Sequence, residues 1–239
     1  MSFYPLHYLP SGHVIIIPED DCDRLVDSLL VTSYAEEFCV ALDFDEDFII
    51  QMMEAGFLIM SAEFKEPGVE EKAPFYLLLP KLHLTRSTLF FSDLHIKKSI
   101  IRFLPRYELH VDRDFDCILD ACVETHGSDW LTPPLVEMLK RLHRKKGIRT
   151  KPVSFGVYRD GELKAGEIGI VMGRVYTSYS GYCRENNAGT VQMILMAQWL
   201  SETGFAFLDF GMPLDYKTNL GARNIDPPSF VELFRSSRD

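Results

Sequence analysis

The stretch VSFGVYRDGELKAGEIGIVMGRVYTSYSGY, residues 153–182, decides the fold of this 239-residue chain. Short segments rich in β-branched and aromatic residues flank the pair Asp160-Gly161, which favours a tight hairpin turn. A second turn signal at Met172-Gly173 leads into a third segment of the same kind. The stretch therefore predicts three consecutive antiparallel strands.

The segments on either side of this stretch predict helices and one further strand. DWLTPPLVEMLKRLH, residues 129–143, predicts a helix whose two prolines occupy its first turn. NNAGTVQMILMAQWLSETG, residues 186–204, predicts a central helix that ends at Gly204, and FAFLDFGM after it predicts a buried strand. This order of elements resembles a GNAT-type acyltransferase domain. The sequence thus predicts an α+β fold with a mostly antiparallel sheet.

The charge is divided unevenly between the two ends of the chain, whose net charge is −10. Residues 1–72 hold 16 Asp and Glu against 3 Lys and Arg, whereas the remainder holds 22 Lys and Arg against 19 Asp and Glu. Such asymmetry indicates different partners for the two parts. We expect a small acidic N-terminal domain over residues 1–95 and a GNAT-like domain over residues 96–239.

The composition excludes several classes of protein. Hydrophobic residues make up 46% of the chain and charged residues 25%, which is typical of a globular protein with a core. No apolar run approaches the length of a membrane span, and the N-terminal segment is a poor secretory signal. The five cysteines form no C-x-x-C pair. We expect a cytoplasmic monomer without a membrane, metal or cofactor requirement.

Two short motifs mimic metal sites. Asp209-Phe210-Gly211 matches the magnesium-binding tripeptide of protein kinases, but the other kinase motifs do not accompany it. An acidic series that begins at Asp43 has the spacing of a calcium loop, but Phe48 stands where that loop needs Gly. The sequence therefore predicts neither a kinase nor a calcium site.

A run of cations lies at and beyond the end of the predicted helix over residues 129–143. Cations at a helix C-terminus complement the helix dipole, and their density here also suits phosphate binding, so both interpretations stay open. The cations are Lys140, Arg141, Arg144, Lys145, Lys146, Arg149 and Lys151.

Four segments together resemble the leucyl/phenylalanyl-tRNA–protein transferase family: DWLTPPLVEMLKRLH, GELKAGEIGIVMGRVY, SGYCRENNAG and LDFGMPLDYKTNLGARNIDPPSFVELF. The resemblance is ordered from about residue 40 to residue 234 and is weaker in the first half. It implies a transferase that moves a hydrophobic amino acid, of Leu or Phe type, from a charged tRNA to the N-terminal residue of an acceptor protein, which marks that protein for degradation. It also makes the cations of residues 140–151 candidates for tRNA binding.

The resemblance assigns candidate site residues by position. Asp209 falls on the Asp of the family's D-C-Q string and is the predicted catalytic residue. Gly211 stands where the family has its proposed catalytic Gln, and Tyr179 stands where it has a Glu. The predicted substrate-binding residues are Trp130, Tyr179, Ser180, Arg184, Asn187, Phe210, Gly211 and Met212.

We expect the substrate pocket where the third hairpin strand and the strand after the central helix diverge. Its walls should be apolar, with Phe210, Met212 and Met172, and Asp209 should be its one carboxylate whose charge matters. The substitutions at Tyr179 and Gly211 leave a second interpretation open, a non-catalytic homologue that binds aminoacyl-tRNA or peptide. A CoA-dependent N-acetyltransferase is a third, although CRENNAG lacks a glycine-rich pyrophosphate loop.

Overall fold

The computed structural model describes residues 4–32, 34, 36–64 and 74–239. They fall into two compact units, one drawn from Met1–Leu84 with Gly127–Leu139 and the other from Thr85–His126 with Lys140–Asp239. The chain thus passes from the first unit to the second at residue 85 and returns to the first for Gly127–Leu139. The two predicted domains, with a boundary at residue 95, stay a prediction.

The first unit contains two capped helices and two small hairpins. The Asp45 side chain accepts hydrogen bonds from the backbone N–H of Asp47 and Phe48 and so begins the second helix, which explains the acidic series without calcium. No cluster of His, Cys, Asp or Glu able to hold a metal occurs among the described residues. The elements are β1 (His7–Tyr8), β2 (Val14–Ile15), α1 (Cys22–Val31), α2 (Glu46–Glu54), β3 (Leu58–Phe64) and β4 (Phe75–Lys81).

The second unit is built on a seven-stranded sheet. Its early elements are β5 (Arg86–Leu89), α3 (Lys98–Ile101), β6 (Glu108–Val111), α4 (Phe115–His126) and α5 (Pro133–Arg144), of which α5 starts within the residues of the first unit. Its later elements are β7 (Lys151–Arg159), β8 (Glu162–Met172), β9 (Val175–Cys183), α6 (Ala188–Glu202), β10 (Phe207–Asp209), α7 (Asp215–Asn219), β11 (Arg223–Ile225) and α8 (Pro227–Arg238).

The strand order in this sheet is β11-β5-β10-β9-β8-β7-β6. The chain crosses from β9 through α6 to β10, and this helical crossover makes β9 and β10 parallel neighbours. The other neighbouring pairs are antiparallel. The predicted α+β class is therefore confirmed, and the expectation of a mostly antiparallel sheet is corrected to a mixed one.

The three strands predicted from residues 153–182 are present as β7, β8 and β9. Asp160 has φ 55° and Gly161 has φ 78°, which is the conformation that a two-residue type I′ hairpin turn requires. Gly173 makes the second turn with φ 55°, where an added Cβ would lie 1.9 Å from the carbonyl oxygen of Arg238. Local turn chemistry thus determines this part of the sheet.

The central helix α6 packs its apolar residues on the sheet. Phe155 lies at the centre of this core, with its ring 5.1 Å from that of Tyr176 and 5.4 Å from that of Trp199. Since α6 is buried along most of its length, it holds the ends of β9 and β10 in place around the site. Among the described residues, no helix combines the length and the apolar character needed to cross a membrane.

Candidate functional site

A cavity opens where β9 and β10 diverge, which is the position expected from the sequence. The parallel pairing ends with Thr177 opposite Asp209, after which β9 continues to Cys183 while β10 stops. The cavity has a volume of about 370 Å³. It is lined by residues 178–183 of β9, by Glu167 of β8, by Gly189, Gln192 and Met193 of α6, by Phe210, Tyr216 and Lys217 after β10, and by Thr125 and His126 at the end of α4.

A β-bulge turns one predicted site residue out of the regular pairing. Ile168 pairs with Ser180 and Gly169 pairs with Ser178, so Tyr179 is the extra residue of β9. Bulges bend a strand and re-aim its side chains. Tyr179 and Ser180, both predicted to bind substrate, line the cavity at this bend.

The carboxylate that faces the cavity belongs to Glu167. Its side chain is buried, with the residue 4% exposed, and the Tyr176 hydroxyl donates to its Oε1 atom at 3.0 Å. Burial raises the pKa of Glu167 to about 7, while hydrogen bonds from Tyr176, Ser178 and Gln192 and the charge of Lys217 lower it. A buried acid with this pKa changes its protonation near neutral pH.

Lys217 supplies a buried amine beside the same cavity. Its Nζ atom donates to the carbonyl oxygens of Phe210 at 2.7 Å and Met212 at 2.9 Å. Burial lowers the pKa of Lys217 to about 8, and the charges of Asp209 and Glu167 raise it. The cavity therefore contains an acid and an amine whose pKa values are both displaced toward neutrality.

Asp209, the predicted catalytic residue, is fully buried and paired. Arg86 donates to it through Nε at 2.9 Å and through Nη2 at 2.8 Å. The Thr177 hydroxyl and the Gly211 backbone N–H each donate to it at 2.9 Å. Asp209 is not among the described residues that line the cavity. Its catalytic role stays a prediction, and the contacts describe an anchor of the strand end.

Five other predicted substrate-binding residues follow β9 or β10. Phe210 lines the cavity, and Gly211 beside it is buried with φ 70°. Met212 is 46% exposed. Arg184 is exposed over the Tyr182 ring, and Asn187 precedes α6 with φ 71° and no side-chain capping bond. The structure thus brings Phe210 into the site, while the binding roles of the others stay predictions.

Trp130 belongs to the first unit, where its carbonyl oxygen accepts a hydrogen bond from the Ser61 backbone N–H at 2.9 Å. Its predicted role also stays a prediction. Of the residues expected to form apolar walls, Met172 and Met212 are not among the described residues that line the cavity. The methionine that does line it is Met193.

Ion pairs occupy part of the basic run that was predicted to bind tRNA. Three of its cations pair with carboxylates on or next to α4: Lys140 with Asp120 at 2.7 Å, Arg144 with Asp116, and Lys151 with Asp112 at 3.6 Å. Arg149 donates to backbone carbonyls at the end of α8, and Lys146 is exposed. These contacts reduce the positive charge available to phosphates, and tRNA binding here stays a prediction.

A second set of cations lies around α3 and was missed in the sequence. All four are exposed, and no ion pair with a carboxylate involves them among the described residues. Arg102 and Arg106 lie near the Phe103 ring, at 5.0 and 5.2 Å from its centroid. The set, called here the α3 cations, is Lys97, Lys98, Arg102 and Arg106.

Sequence reasoning also missed Glu167 and Lys217. A signal for Glu167 exists, because it is an acid in the middle of an otherwise apolar strand segment, AGEIGIVM. Lys217 lies in a short polar helix, where a lysine is unremarkable, so its burial has no local signal.

A family model described as leucyl/phenylalanyl-tRNA protein transferase matches residues 88–235. A protein of that name from Pseudomonas putida (strain W619) is 34% identical over 64% of this chain and 69% of its own length. The one from Pseudomonas fluorescens (strain Pf0-1) is 32% identical over the same shares. Among solved structures, FemX gives a TM-score of 0.47 at 12% identity, covering 92% of this chain and 80% of FemX.

Proposed function

We propose a function from one premise: this chain belongs to the leucyl/phenylalanyl-tRNA–protein transferase family. It transfers an aminoacyl group from a charged tRNA to the N-terminal residue of an acceptor protein, with Leu and Phe as the amino acids named for its relatives. This transfer would mark the acceptor for degradation. One observation carries the proposal: all the residues that line the cavity lie within the matched range.

The reaction is the attack of a neutral amine on an activated ester. The amine nitrogen forms a bond to the ester carbonyl carbon and loses a proton, the bond from that carbon to the tRNA ribose oxygen breaks, and the ribose oxygen takes up a proton. Orientation of the two reactants and a nearby proton acceptor favour this step. Lys217 and Glu167 support the proposal, because both groups exchange protons near neutral pH.

Asp209 acts, in this proposal, by positioning the strand end rather than by taking a proton. Its carboxylate holds the Gly211 backbone N–H and the Thr177 hydroxyl, and Arg86 balances its charge. The site is thereby kept rigid where β10 ends. The predicted catalytic role of Asp209 is the competing interpretation, and the two differ in the effect of mutation on stability.

The partners follow from the same premise. Aminoacyl-tRNA binds through phosphate contacts, for which both the α3 cations and residues 140–151 are candidates, and the acceptor binds through its N-terminal residue. We also propose that the protein works as a cytoplasmic monomer and that its acidic N-terminal domain covers residues 1–95.

The test is incubation of the purified protein with tRNAs that carry labelled amino acids and with peptides that differ in their N-terminal residue. We expect label on the peptide N-terminus, with a dependence on both the amino acid and the acceptor. Parallel reactions with labelled acetyl-CoA test the acetyltransferase alternative. Binding of charged tRNA without transfer to any peptide would support the non-catalytic alternative instead.

A further inference from the structure

The lining of the cavity includes a buried acid, Glu167, although an apolar pocket was expected for a hydrophobic amino acid. Glu167 is buried and still lines the cavity, so its carboxylate is shielded from bulk water and open to an occupant. Burying a carboxylate is unfavourable unless hydrogen bonds or charges compensate it. A carboxylate in such a place needs a partner.

Neighbouring side chains hydrogen-bond to the Glu167 carboxylate and hold it in a fixed position. Tyr176 donates to Oε1 at 3.0 Å, and Ser178 and Gln192 also hydrogen-bond to the side chain of Glu167. An ionised carboxylate has about four acceptor sites, so acceptor capacity remains for an occupant. Supports from β9 and α6 make this a preorganised acceptor.

The other charged groups near the cavity have hydrogen bonds to partners of their own. Two of the three N–H donors of Lys217 bind the carbonyl oxygens of Phe210 and Met212. Asp209 is paired with Arg86 in the core. His126, which also lines the cavity, donates through Nε2 to the Gly181 carbonyl oxygen at 2.7 Å.

The remaining walls suit a hydrocarbon stem that leads to a polar end. Phe210, Met193 and Tyr216 supply apolar surface along the cavity, while Glu167 and Gln192 lie among its polar groups. Such a combination matches an amino-acid side chain with methylene groups and a terminal N–H donor, as in lysine, arginine, glutamine or asparagine.

We propose that Glu167 is the specificity-determining residue of this cavity, which accepts an amino-acid side chain ending in N–H donors and discriminates against a wholly hydrocarbon one. This inference rests on the proposed function, since that side chain belongs either to the transferred amino acid or to the N-terminal residue of the acceptor. A hydrocarbon occupant leaves the remaining acceptor site of the carboxylate without a partner. Sites built to hydrogen-bond a polar group reject such analogues strongly, and we expect a discrimination of at least about 100-fold.

Binding measurements with matched amino-acid amides test the chemistry without requiring activity. Lysinamide is compared with norleucinamide and asparaginamide with leucinamide, each titrated into the full-length protein by calorimetry. We expect the N–H-bearing member of at least one pair to bind at least about 100-fold more tightly. Equal affinity within both pairs would overturn the proposal.

Two variants connect this preference to Glu167. Glu167→Met should remove the preference for the N–H-bearing amide and favour its hydrocarbon partner, and Glu167→Gln should weaken binding of lysinamide more than that of asparaginamide. Glu202→Gln, which removes an exposed carboxylate at the end of α6, is the matched control and should leave the preferences unchanged. Thermal unfolding verifies that each variant folds. If Glu167→Met does not fold, Glu167→Gln alone provides the test. An unchanged preference in the folded Glu167 variants would refute the assignment.

Transfer assays then distinguish the two sources of the side chain. One arm varies the amino acid on the tRNA against a fixed peptide, and the other varies the peptide's N-terminal residue against a fixed charged tRNA. The preference should occur in one arm, be lost in Glu167→Met and be reduced in Glu167→Gln. Transfer without such a preference in either arm would contradict this inference but support the proposed function. Selective binding of the amides without any transfer would support the inference but contradict the proposed function.

Discussion

The buried pair of Arg86 and Asp209 gives the clearest prediction about the site's architecture. Arg86 is 1% exposed and Asp209 0%, and the guanidinium also lies 4.4 Å from the centroid of the Phe230 ring. Replacing Arg86 with Met keeps an apolar stem but leaves the Asp209 carboxylate buried without its cation. Breaking a buried pair in this way costs about 3–5 kcal/mol of the free energy of unfolding. For a chain of this size, that corresponds to a fall in Tm of roughly 6–20 °C.

A double-mutant cycle separates the pair's interaction from general damage to the core. In Arg86→Met with Asp209→Asn, neither position of the pair carries a charge, and the Asn carbonyl oxygen still accepts from the Gly211 N–H. The double variant should therefore lose about 2 kcal/mol less than the sum of the two single losses. Arg144→Met is the matched control, because the side chains of its ion pair, Arg144 and Asp116, are 57% and 45% exposed, and loss of that pair should cost less than about 1 kcal/mol.

Urea unfolding followed by circular dichroism measures these free energies. A loss below about 1 kcal/mol in Arg86→Met, or strict additivity in the double variant, would refute the anchoring role. Asp209→Asn also discriminates between the two roles of Asp209. A kcat reduced by more than about ten-fold with unchanged stability would favour the catalytic role, whereas reduced stability favours the anchor.

Two further predictions concern pH and salt. The pKa of Glu167 is about 7 in the folded state against an ordinary 4.5, so between these pH values the folded state binds more protons than the unfolded state. As pH rises from 4.5 to 7, the free energy of unfolding of the wild type should therefore fall by about 3 kcal/mol more than that of Glu167→Gln. Parallel pH profiles of the two proteins in unfolding experiments would disprove this. Replacing Lys97 and Lys98 with Ala should weaken the binding of all charged tRNAs alike and reduce the salt slope of binding by about 2. Replacing Lys140 and Arg144, which pair with Asp120 and Asp116, should reduce that slope less. Filter binding at several salt concentrations measures both slopes, and the opposite order would contradict this prediction.

Local chemistry made the central sheet predictable. Asp160-Gly161 and Gly173 determine their turns through the backbone conformations that these residues adopt, which needs no knowledge of distant residues. The divergence of β9 and β10 was also predictable, because it follows from the order of strands and helix. The fold of this part is thus encoded in short segments of the chain.

Contacts between residues that are distant in the sequence could not be predicted from it. Arg86 and Asp209 are 123 residues apart, so no spacing rule connects them, and Asp209 alone looks like an available carboxylate. The pairing of Lys140 with Asp120 likewise joins residues of two different helices. The strand Arg86–Leu89 is too short to show alternation, although it lies inside the large sheet.

Glu167 was missed for a different reason. Its position in an apolar strand was visible, but the resemblance directed attention to Tyr179, where the family has a Glu. Only the three-dimensional arrangement shows that a carboxylate reaches the cavity from the neighbouring strand β8.

The measurement that tests the central claim most directly is the mass of a peptide after incubation with the purified protein and charged tRNA. Each peptide is supplied once with a free N-terminal amine and once with that amine acetylated. The account predicts that the free peptide gains the mass of one amino-acid residue at its N-terminus and that the acetylated peptide gains none. A complete survey of charged tRNAs and N-terminal residues in which no free peptide gains mass, although charged tRNA binds, would contradict it.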